Sequence, residues 1–491
     1  MLRSQILKGT SWLLAGRFIS NALGLLSTLI AARLLMPEDF GLMAIAMSVF
    51  GIAGAVVELP VGAALVQMKT AGKAEFDTAW TINVLRGCIV AILMVLAAWP
   101  ASLITGDPRL FGLVTALAAY PLILGLRNSW FEQYIRDMDF RREALLDVLT
   151  KITSITVIVW VGLATRSYWA LPLGLIAAGL ANTAASFLLR PQLPAFGLGA
   201  FKKFFGFSVW IGLGNVADSV RDASTNFFLG RVLGNARLGA FAVGSQFGER
   251  LELVLYAPME RTLFAAFSSI QDDAARVREV YLKSLHTCAA IILPVCAGMG
   301  LLAPEIIGVA LGPNWPVASL VLAFVAPITA IYLLAGLSNS LANALGHPRE
   351  LFKFKALSAA LHIPALAVGL IGFGLVGALW ACAFTALGWY LASLHVVARV
   401  TGLTLRAQME VIGRSAASTL VMCGVVAALR QGVFEGGADT FAGMIVQAGM
   451  LAAAGALTYI GAHLTLWQLS GRREGIEALA LSVLGRRLSA L

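Results

Sequence analysis

Three charged residues, Asp218, Arg221 and Asp222, lie in the middle of an apolar segment at residues 206–232. Their spacing of three and four residues places them on one face of a helix. An ionisable side chain at the centre of a bilayer costs about 2.5–3.5 kcal/mol on insertion scales, so such residues usually face a cavity or a partner. The cluster predicts a polar site in which Arg221 binds an anion and an aspartate exchanges a proton or holds a cation. The alternative is a self-neutralised cluster that only lowers the cost of Arg221.

Further charged residues lie within apolar segments, some of them deep inside and others near the ends. Arg17 and Arg86 are about two turns inside one end of their segments, which favours a cavity. Arg33 and Arg231 lie near helix ends and are candidates for gating, the alternative being that they only snorkel. The candidates for ion coupling or cavity charge are Asp218, Asp222, Glu58, Glu249 and Glu252. Arg250 and its two neighbouring glutamates alternatively form a structural ion network.

The segments that carry these charges are long and apolar. The chain has 491 residues, a mean hydropathy of +0.83 and 13% charged residues, whereas a soluble protein carries roughly 25%. This composition predicts an all-α polytopic membrane protein. We predict about fourteen transmembrane segments, with twelve as the lower limit, near residues 10–36, 40–66, 79–104, 109–131, 145–165, 168–189, 206–232, 238–260, 284–311, 316–346, 356–373, 375–398, 411–430 and 441–468.

The basic residues alternate between the two sides of this map. The even-numbered connections and the C-terminal tail hold most of the Lys and Arg, whereas the other side has only Arg109, Arg166, Arg237 and Arg430. Because basic loops stay in the cytoplasm, both termini are predicted to be cytoplasmic. The net charge of +10 is therefore a topology signal, and no nucleic-acid partner is expected.

One turn occurs twice in the chain. RLLMPEDFG at residues 33–41 and RVLGNARLG at 231–239 share Arg, Leu and Gly at an offset of 198 residues, which also pairs Trp12 with Trp210 and Pro60 with Pro258. An even number of segments separates the copies, so we predict two parallel-repeat bundles around a central cavity. The predicted domains are residues 1–200, residues 201–400, and residues 401–491 with two additional helices and a cytoplasmic tail.

Signatures of soluble enzymes are absent from the sequence. No GxxxxGK occurs, no Cys/His cluster has zinc spacing, and the longest outer connection, at 431–440, is too short for a catalytic domain. The five cysteines lie in apolar runs without a metal or disulfide pattern. We therefore expect no enzyme activity, no catalytic residues, no metal and no cofactor.

A family resemblance rests on the N-terminal residues. KGTSWLLAGRFISNALGLLSTLIAARLLMPEDFGLMAIA at residues 8–46 resembles the N-terminus of Wzx-type oligosaccharide flippases and polysaccharide exporters, in the multidrug/oligosaccharidyl-lipid/polysaccharide exporter superfamily. The most specific part is AARLLMPEDFG followed by a helix of small residues, and the length and two-bundle layout extend the match over the whole chain.

The resemblance implies a substrate and an activity. It implies that undecaprenyl-pyrophosphate-linked oligosaccharide repeat units cross the bacterial inner membrane by alternating access, for exopolysaccharide or O-antigen synthesis. Membrane lipid and a polysaccharide polymerase are the other implied partners. Family members bind the substrate with cationic residues of the cavity. By their positions, the resemblance assigns this role here to Arg17, Arg86, Arg221 and Arg250.

Three other functions stay open at this stage. The mixed Asp/Arg cluster equally suits a cation-coupled multidrug antiporter of the same superfamily. A membrane sugar polymerase is less favoured, because it needs a sizeable outer loop with catalytic groups. A peptidoglycan-precursor flippase would differ only in its sugar.

Overall fold

The computed structural model describes residues 2–59, 61–62, 65, 68, 71–137, 139–204, 209–312, 315–433 and 441–469. Within these ranges the side chains of residues 2–15, 17, 202–203, 209, 211, 257–258 and 261 lie outside the description. The described residues form helices and turns and contain no strand, which confirms the all-α prediction. The predicted cytoplasmic tail at 471–491 lies outside the described residues.

The chain divides into two compact units, residues 1–239 (unit 1) and residues 240–491 (unit 2). The helices of unit 1 are α1 (Leu2–Leu34), α2 (Pro37–Val56), α3 (Lys73–Thr105), α4 (Arg109–Leu117), α5 (Ala119–Gly125), α6 (Glu132–Arg136), α7 (Phe140–Thr165), α8 (Ala170–Leu189) and α9 (Val209–Leu233). A further helix, α10 (Asn235–Leu251), contains the boundary between the units.

Unit 2 continues with seven more helices. They are α11 (Ala257–Ser269), α12 (Ala274–Leu301), α13 (Ala303–Leu311), α14 (Pro316–Ala344), α15 (Pro348–Thr401), α16 (Leu405–Val433) and α17 (Phe441–Leu469). A π-helical turn, Glu252–Tyr256, precedes α11. The core of the unit includes Tyr281, fully buried, whose hydroxyl forms hydrogen bonds with Ser338 and Gln408.

In the described part of the chain, nine helices are long and apolar enough to cross a membrane, or ten if one bent pair counts as a single span. The protein is therefore a multi-pass membrane protein. One of the nine, α15, is interrupted at Gly374, whose φ of 62° and ψ of −140° are not helical. The break coincides with the predicted boundary between segments 356–373 and 375–398. Helix α9 is absent from the nine because it carries Asp218, Arg221, Asp222 and Arg231.

Several predicted segments are interrupted helices instead of continuous ones. The prediction of one segment over 40–66 is wrong, because α2 ends at Val56 and Glu58 lies beyond its end. Leu59 precedes Pro60, and a residue before proline disfavours the helical region. The predicted segment 109–131 is likewise broken: Arg109–Gly125 and Ser129–Arg136 meet at a bend of 55°.

The two copies of the repeated turn contact each other reciprocally within unit 1. Gly41 packs against the backbone carbonyl of Asn235, and Gly239 packs against that of Pro37, so closely that a Cβ atom on either glycine would overlap it. Positions 37 and 235 correspond in the repeat, as do 41 and 239. Equivalent residues therefore make equivalent contacts, which supports the repeat inferred from the sequence. It also explains both glycines, since only glycine permits so close an approach.

Candidate functional site

Arg86 lies in a cavity inside unit 1. The cavity has a volume of about 450 Å³, and one wall is a face of α3 formed by Asn83, Arg86, Gly87 and Val90. Arg86 is roughly 20 Å from the nearer end of α3, at 1.5 Å per residue, and therefore lies deep in a membrane-spanning helix. The other lining residues are Phe50, Gly54, Leu59, Val61, Gly62, Leu65, Pro121, Leu124, Gly125, Arg127, Asn128, Ser129, Glu132 and Asn182.

The cavity is bordered by two helix breaks. Leu59, Val61 and Gly62 follow the end of α2, whereas Arg127 and Asn128 lie in the 55° bend after α5. Backbone that leaves the helix at membrane depth is tolerated where it lines a cavity, and interrupted helices mark many transporter binding sites. Both breaks are therefore where a binding site is expected.

Asn128 holds the second break in one conformation. Its side-chain Nδ2 donates to the carbonyls of Arg190 and Gln192 at 2.7 and 3.0 Å, and its Oδ1 accepts from the backbone N–H of Trp130 at 3.0 Å. Its own N–H donates to Ser186 Oγ at 3.1 Å. Because all of these groups are engaged, Asn128 positions the wall of the cavity and does not offer a free amide to a ligand.

Arg127 and Glu132 form the second charged wall. Arg127 Nη1 lies 3.6 Å from Glu132 Oε1, and its guanidinium stacks 5.0 Å from the ring centroid of Phe131. The buried Nε of Arg127 has no hydrogen-bond partner among the described residues. The pair is therefore neutral as a unit.

Two glycines set the floor of the cavity, where α3 crosses α5. A Cβ on Gly87 would lie 2.5 Å from the carbonyl oxygen of Pro121, and one on Gly125 would lie 2.6 Å from that of Asn83. Small residues let membrane helices approach this closely. The crossing fixes Asn83 and Arg86 relative to the break after α5.

Arg86 differs from Arg127 because no acidic residue in the described part of the chain pairs with it. Within the described residues Arg86 makes no hydrogen bond and no ion pair, although it lines the cavity. Since Arg127 is already paired with Glu132, the lining carries one uncompensated positive charge. Such a cavity attracts an anion.

The predicted cluster on α9 is brought together. Arg221 Nη2 lies 3.0 Å from Asp222 Oδ1, and Arg221 Nη1 lies 3.6 Å from Asp218 Oδ1. The Arg221 side chain is largely buried, whereas Asp222 is exposed. Two carboxylates flank one guanidinium in this cluster, whereas the cavity lining contains two arginines and one glutamate.

Two hydrogen bonds join α9 to α2 and to the residues that follow α2. Asn226 Nδ2 donates to Ser48 Oγ at 2.8 Å, and Asn215 Nδ2 donates to Glu58 Oε2 at 3.2 Å. Glu58 is thus engaged with α9 from its position beyond the end of α2. It does not line the cavity that contains Arg86.

Arg33 and Arg231 lie in the last turns of α1 and α9 and are exposed, as predicted for helix ends. Beside them, the turn that contains Asp107 links the two repeat copies: Arg109 donates to Asp107 at 2.7 Å and pairs with Glu38, and Asn235 Nδ2 donates to Asp107 at 2.8 Å. The hydrogen bonds from the Arg109 side chain hold the pKa of Asp107 below its ordinary value, against the opposing effect of partial burial.

The remaining predicted residues whose side chains are described do not line the cavity. Glu249, Arg250 and Glu252 lie in unit 2, at the end of α10 and the start of the π-helical turn, with the two glutamates exposed and Arg250 half-buried. Arg17 is part of α1, but its side chain lies outside the described residues. In the described part of the chain, no group of three or more His, Cys, Asp or Glu could hold a metal ion.

Sequence reasoning missed six polar residues of the cavity lining: Asn83, Arg127, Asn128, Ser129, Glu132 and Asn182. Arg127, near the end of the predicted segment 109–131, was counted among the basic residues of the following even-numbered connection and hence as a topology signal. Asn83 stands three residues before Arg86 and could have been found as its neighbour on the same helix face. Asn182 comes from α8 and carried no sequence signal.

Residues 30–320 match the model of a family described as polysaccharide biosynthesis protein. Similar curated proteins include the lipopolysaccharide biosynthesis protein WzxC of Escherichia coli (strain K12), 21% identical over 384 residues that cover 75% of this chain and 76% of WzxC. The succinoglycan biosynthesis transport protein ExoT of Rhizobium meliloti (strain 1021) is 22% identical over 385 residues, 78% of each chain.

Solved structures share the fold at low sequence identity. The lipid II flippase MurJ, in an inward closed conformation, superposes with a TM-score of 0.71 at 14% identity, over 93% of this chain and 98% of MurJ. An inward-facing multidrug resistance transporter of the MATE family superposes with a TM-score of 0.64 at 12% identity, over 78% of this chain and 95% of its own. The chain therefore has the fold that these two transporters share.

Proposed function

This chain belongs to the polysaccharide biosynthesis protein family, and we propose that it is a flippase for lipid-linked oligosaccharides. In this proposal, undecaprenyl-pyrophosphate-linked repeat units cross a bacterial inner membrane by alternating access and supply exopolysaccharide or O-antigen synthesis. The protein moves its substrate without chemical change, and a polysaccharide polymerase is the partner that consumes the product.

The observation that carries the proposal is the long match to relatives named for export and biosynthesis of polysaccharides. WzxC and ExoT each align with three quarters or more of this chain, so the likeness is not confined to one hairpin. The fold shared with a lipid II flippase supports the same class of substrate.

Physical chemistry gives a reason for the cations. A pyrophosphate carries several negative charges and does not cross hydrocarbon unaided, and arginine offers paired, planar donors to phosphate oxygens. Arginine pairs with carboxylates in the same way, and we propose that Arg17, Arg86, Arg221 and Arg250 bind anionic or hydroxyl groups of the substrate, in its head group or its sugars, during transport. Ion coupling or cavity charge is proposed for Asp218, Asp222, Glu58, Glu249 and Glu252, and gating for Arg33 and Arg231.

The proposed architecture follows the sequence repeat. We propose fourteen transmembrane helices with both termini in the cytoplasm, in which residues 1–200 and 201–400 form the two bundles that alternate and residues 401–491 add two helices and a tail. Cysteine accessibility from each side of the membrane, measured at Arg109 and at Arg349, tests the orientation. The proposal expects Arg109→Cys to react from outside and Arg349→Cys from inside.

The deciding experiment uses a producing strain that lacks this protein. Lipid-linked repeat units are extracted and quantified beside surface polysaccharide, and a membrane-impermeant label reports the leaflet of the repeat units. A flippase defect predicts intact units that accumulate in the inner leaflet and a loss of surface polymer. Wild-type protein restores both.

Other functions give other results in the same strain. A polymerase defect would accumulate repeat units in the outer leaflet. The multidrug antiporter, which the MATE-like fold keeps as the second candidate, would leave lipids and polymer unchanged and lower the efflux of cationic drugs. Unchanged repeat units and polymer, in a strain with no second flippase, would contradict the proposal.

A further inference from the structure

The cavity that contains Arg86 offers hydrogen-bond donors and acceptors together. Its donors include the guanidinium of Arg86, which has no partner in the described chain, and its acceptors include the carboxylate of Glu132. Asn83 adds an amide without a side-chain hydrogen bond in the described chain, and Asn182 donates to Thr150 Oγ1 at 3.3 Å while its Oδ1 stays available. Hydroxyl groups need both kinds of partner, because each is a donor and an acceptor.

The shape and surface of the cavity limit its ligand. A volume of about 450 Å³ lies near the lower end of the roughly 300–1,000 Å³ found for small-molecule sites. One or two sugar residues fit such a volume, whereas a lipid-linked oligosaccharide as a whole does not. Phe50, Val90 and Leu124 give an apolar wall, which suits the C–H face of a pyranose ring.

The charge of the cavity lining indicates which charged group the bound sugar carries. Arg127 is paired with Glu132, so Arg86 alone is uncompensated and favours one negative charge. A carboxylate accepts two parallel hydrogen bonds from a guanidinium. A pyrophosphate fits less well, since the Glu132 carboxylate in the same lining would repel its several charges.

We propose that this cavity in unit 1 is a saccharide subsite that takes a pyranose with one carboxylate, a uronic acid type of sugar. Arg86 binds the carboxylate, and Asn83, Asn182 and Glu132 bind ring hydroxyls. The inference rests on the proposed function, because it names one sugar of the oligosaccharide that the flippase carries. The two helix breaks that border the cavity give it a wall that the hydrogen bonds of Asn128 hold in place before the sugar arrives.

Calorimetric titration of the purified full-length protein in lipid nanodiscs tests this subsite. The probes are glucuronate, glucose, acetate and inorganic pyrophosphate, each applied to wild type and to Arg86→Gln, Arg86→Lys and Asn83→Ala. We expect glucuronate to bind with a Kd of roughly millimolar size, as a weak, single-sugar contact would. Glucose and acetate should bind at least about tenfold more weakly, because each lacks one half of the recognised group.

The variants identify the atoms responsible. Arg86→Gln should weaken glucuronate binding at least about tenfold, and Arg86→Lys, which keeps the charge and loses the paired donors, should fall between it and wild type. Asn83→Ala should weaken glucose and glucuronate equally. Arg406→Gln is the matched control, since Arg406 is 89% exposed on α16 and its one ion pair within the described residues is with Glu410. Melting curves of every variant confirm that it is folded.

Each other outcome contradicts the subsite. Arg86-dependent binding of pyrophosphate that exceeds that of glucuronate would make the cavity a head-group site. Equal affinity for acetate and glucuronate would reduce it to a simple carboxylate site, and binding that does not depend on Arg86 would remove it. The titration involves no transport, so its failure is distinct from failure of the flippase proposal in the deletion strain.

Discussion

Arg86 in unit 1 and Arg430 in unit 2 are arginines on long apolar helices, and their surroundings are opposite. Arg430 Nη2 donates to Glu305 Oε1 at 2.9 Å, and its Nη1 donates to the carbonyl of Leu301 at 3.0 Å. Gln447 adds a third donor, at 3.3 Å from the same Glu305 oxygen. Arg86 has no such contact within the described chain and faces a cavity instead.

We interpret this difference as one between a structural charge, Arg430, and the binding residue proposed above, Arg86. In unit 2 the favourable interactions of Arg430 offset the cost of placing charge in an apolar environment, and they join α16 to α13 and α17. In unit 1 nothing in the described chain offsets that cost for Arg86. We infer that water or a ligand supplies the compensation, because charge deep in a membrane protein usually faces a cavity or a partner.

The largest effect is expected for Arg430→Ala. The Glu305 side chain is only 5% exposed, and its Oε2 already lacks a hydrogen bond in the described residues. Removal of Arg430 would leave a buried carboxylate without its cation, which costs about 3–5 kcal/mol. Thermal unfolding in detergent should show the loss, while export per folded molecule stays at the wild-type level.

The matched control for Arg430 is Arg406→Ala on the same helix. Arg406 and Glu410 are both exposed, and such surface pairs contribute about 0–1 kcal/mol. If the two variants melted alike, the buried pair would not be structural and the contrast with Arg86 would be lost.

Arg86→Ala should have the reverse pattern, with lost export and unchanged or raised stability. A charge-assisted hydrogen bond contributes about 1.5–3 kcal/mol, so export should fall roughly 10–100-fold. Complementation of the deletion strain, normalised to the amount of protein in the membrane, measures the loss. A melting temperature well below that of wild type would mean that Arg86 is structural after all.

Gly87→Ala tests the cavity without a change in charge. The added Cβ would lie 2.5 Å from the carbonyl oxygen of Pro121, and forcing such a group into a packed contact costs about 1–3 kcal/mol. We expect lower stability and weaker export together, because α3 and α5 must move apart and carry Arg86 with them. Gly51→Ala on α2 is the control, since a Cβ there meets nothing within 4 Å, and it should behave as wild type.

The smallest loss of stability is expected for a half-exposed ion pair, that of Asp107 and Arg109. Asp107 accepts hydrogen bonds from Arg109 and Asn235, and Arg109 is 43% exposed. With solvent screening, Asp107→Asn should cost about 1 kcal/mol. Export should persist.

The lowered pKa of Asp107 gives this pair a pH signature. A carboxyl whose pKa is lower in the folded state contributes its stability above its unfolded pKa, near 3.8. That contribution is lost as pH falls through the lower folded value. Melting temperatures of wild type and Asp107→Asn should therefore differ at neutral pH and converge under strong acid. A constant difference would show that the ionised carboxylate is not what stabilises the turn.

Some of the site could be predicted because its signals are local. Arg86 was found as a charge in an apolar run, and Asp218, Arg221 and Asp222 were found from their spacing on one helix; the structure brings the last three together. Glu58 was placed inside a continuous segment, and the structure puts it past the end of α2. Pro60 was identified as a member of the repeat, but periodicity does not say whether a helix bends or stops at a proline.

The sequence by itself determined the solvent of this protein and the class of its elements. Low charge and long apolar runs require lipid around helices, because every backbone polar group must then be satisfied within its own segment. The sequence also revealed the repeated turn, because Gly41 and Gly239 occupy equivalent positions at an offset of 198 residues.

Only the tertiary structure decided which charges are compensated. Arg127 forms an ion pair with Glu132, five residues away across a helix break, and Arg430 forms one with Glu305 on another helix. Arg86 forms no ion pair within the described residues. Pairing depends on distances of a few ångströms between side chains from different helices. Those distances follow from how the helices bend and cross, which composition and periodicity do not encode.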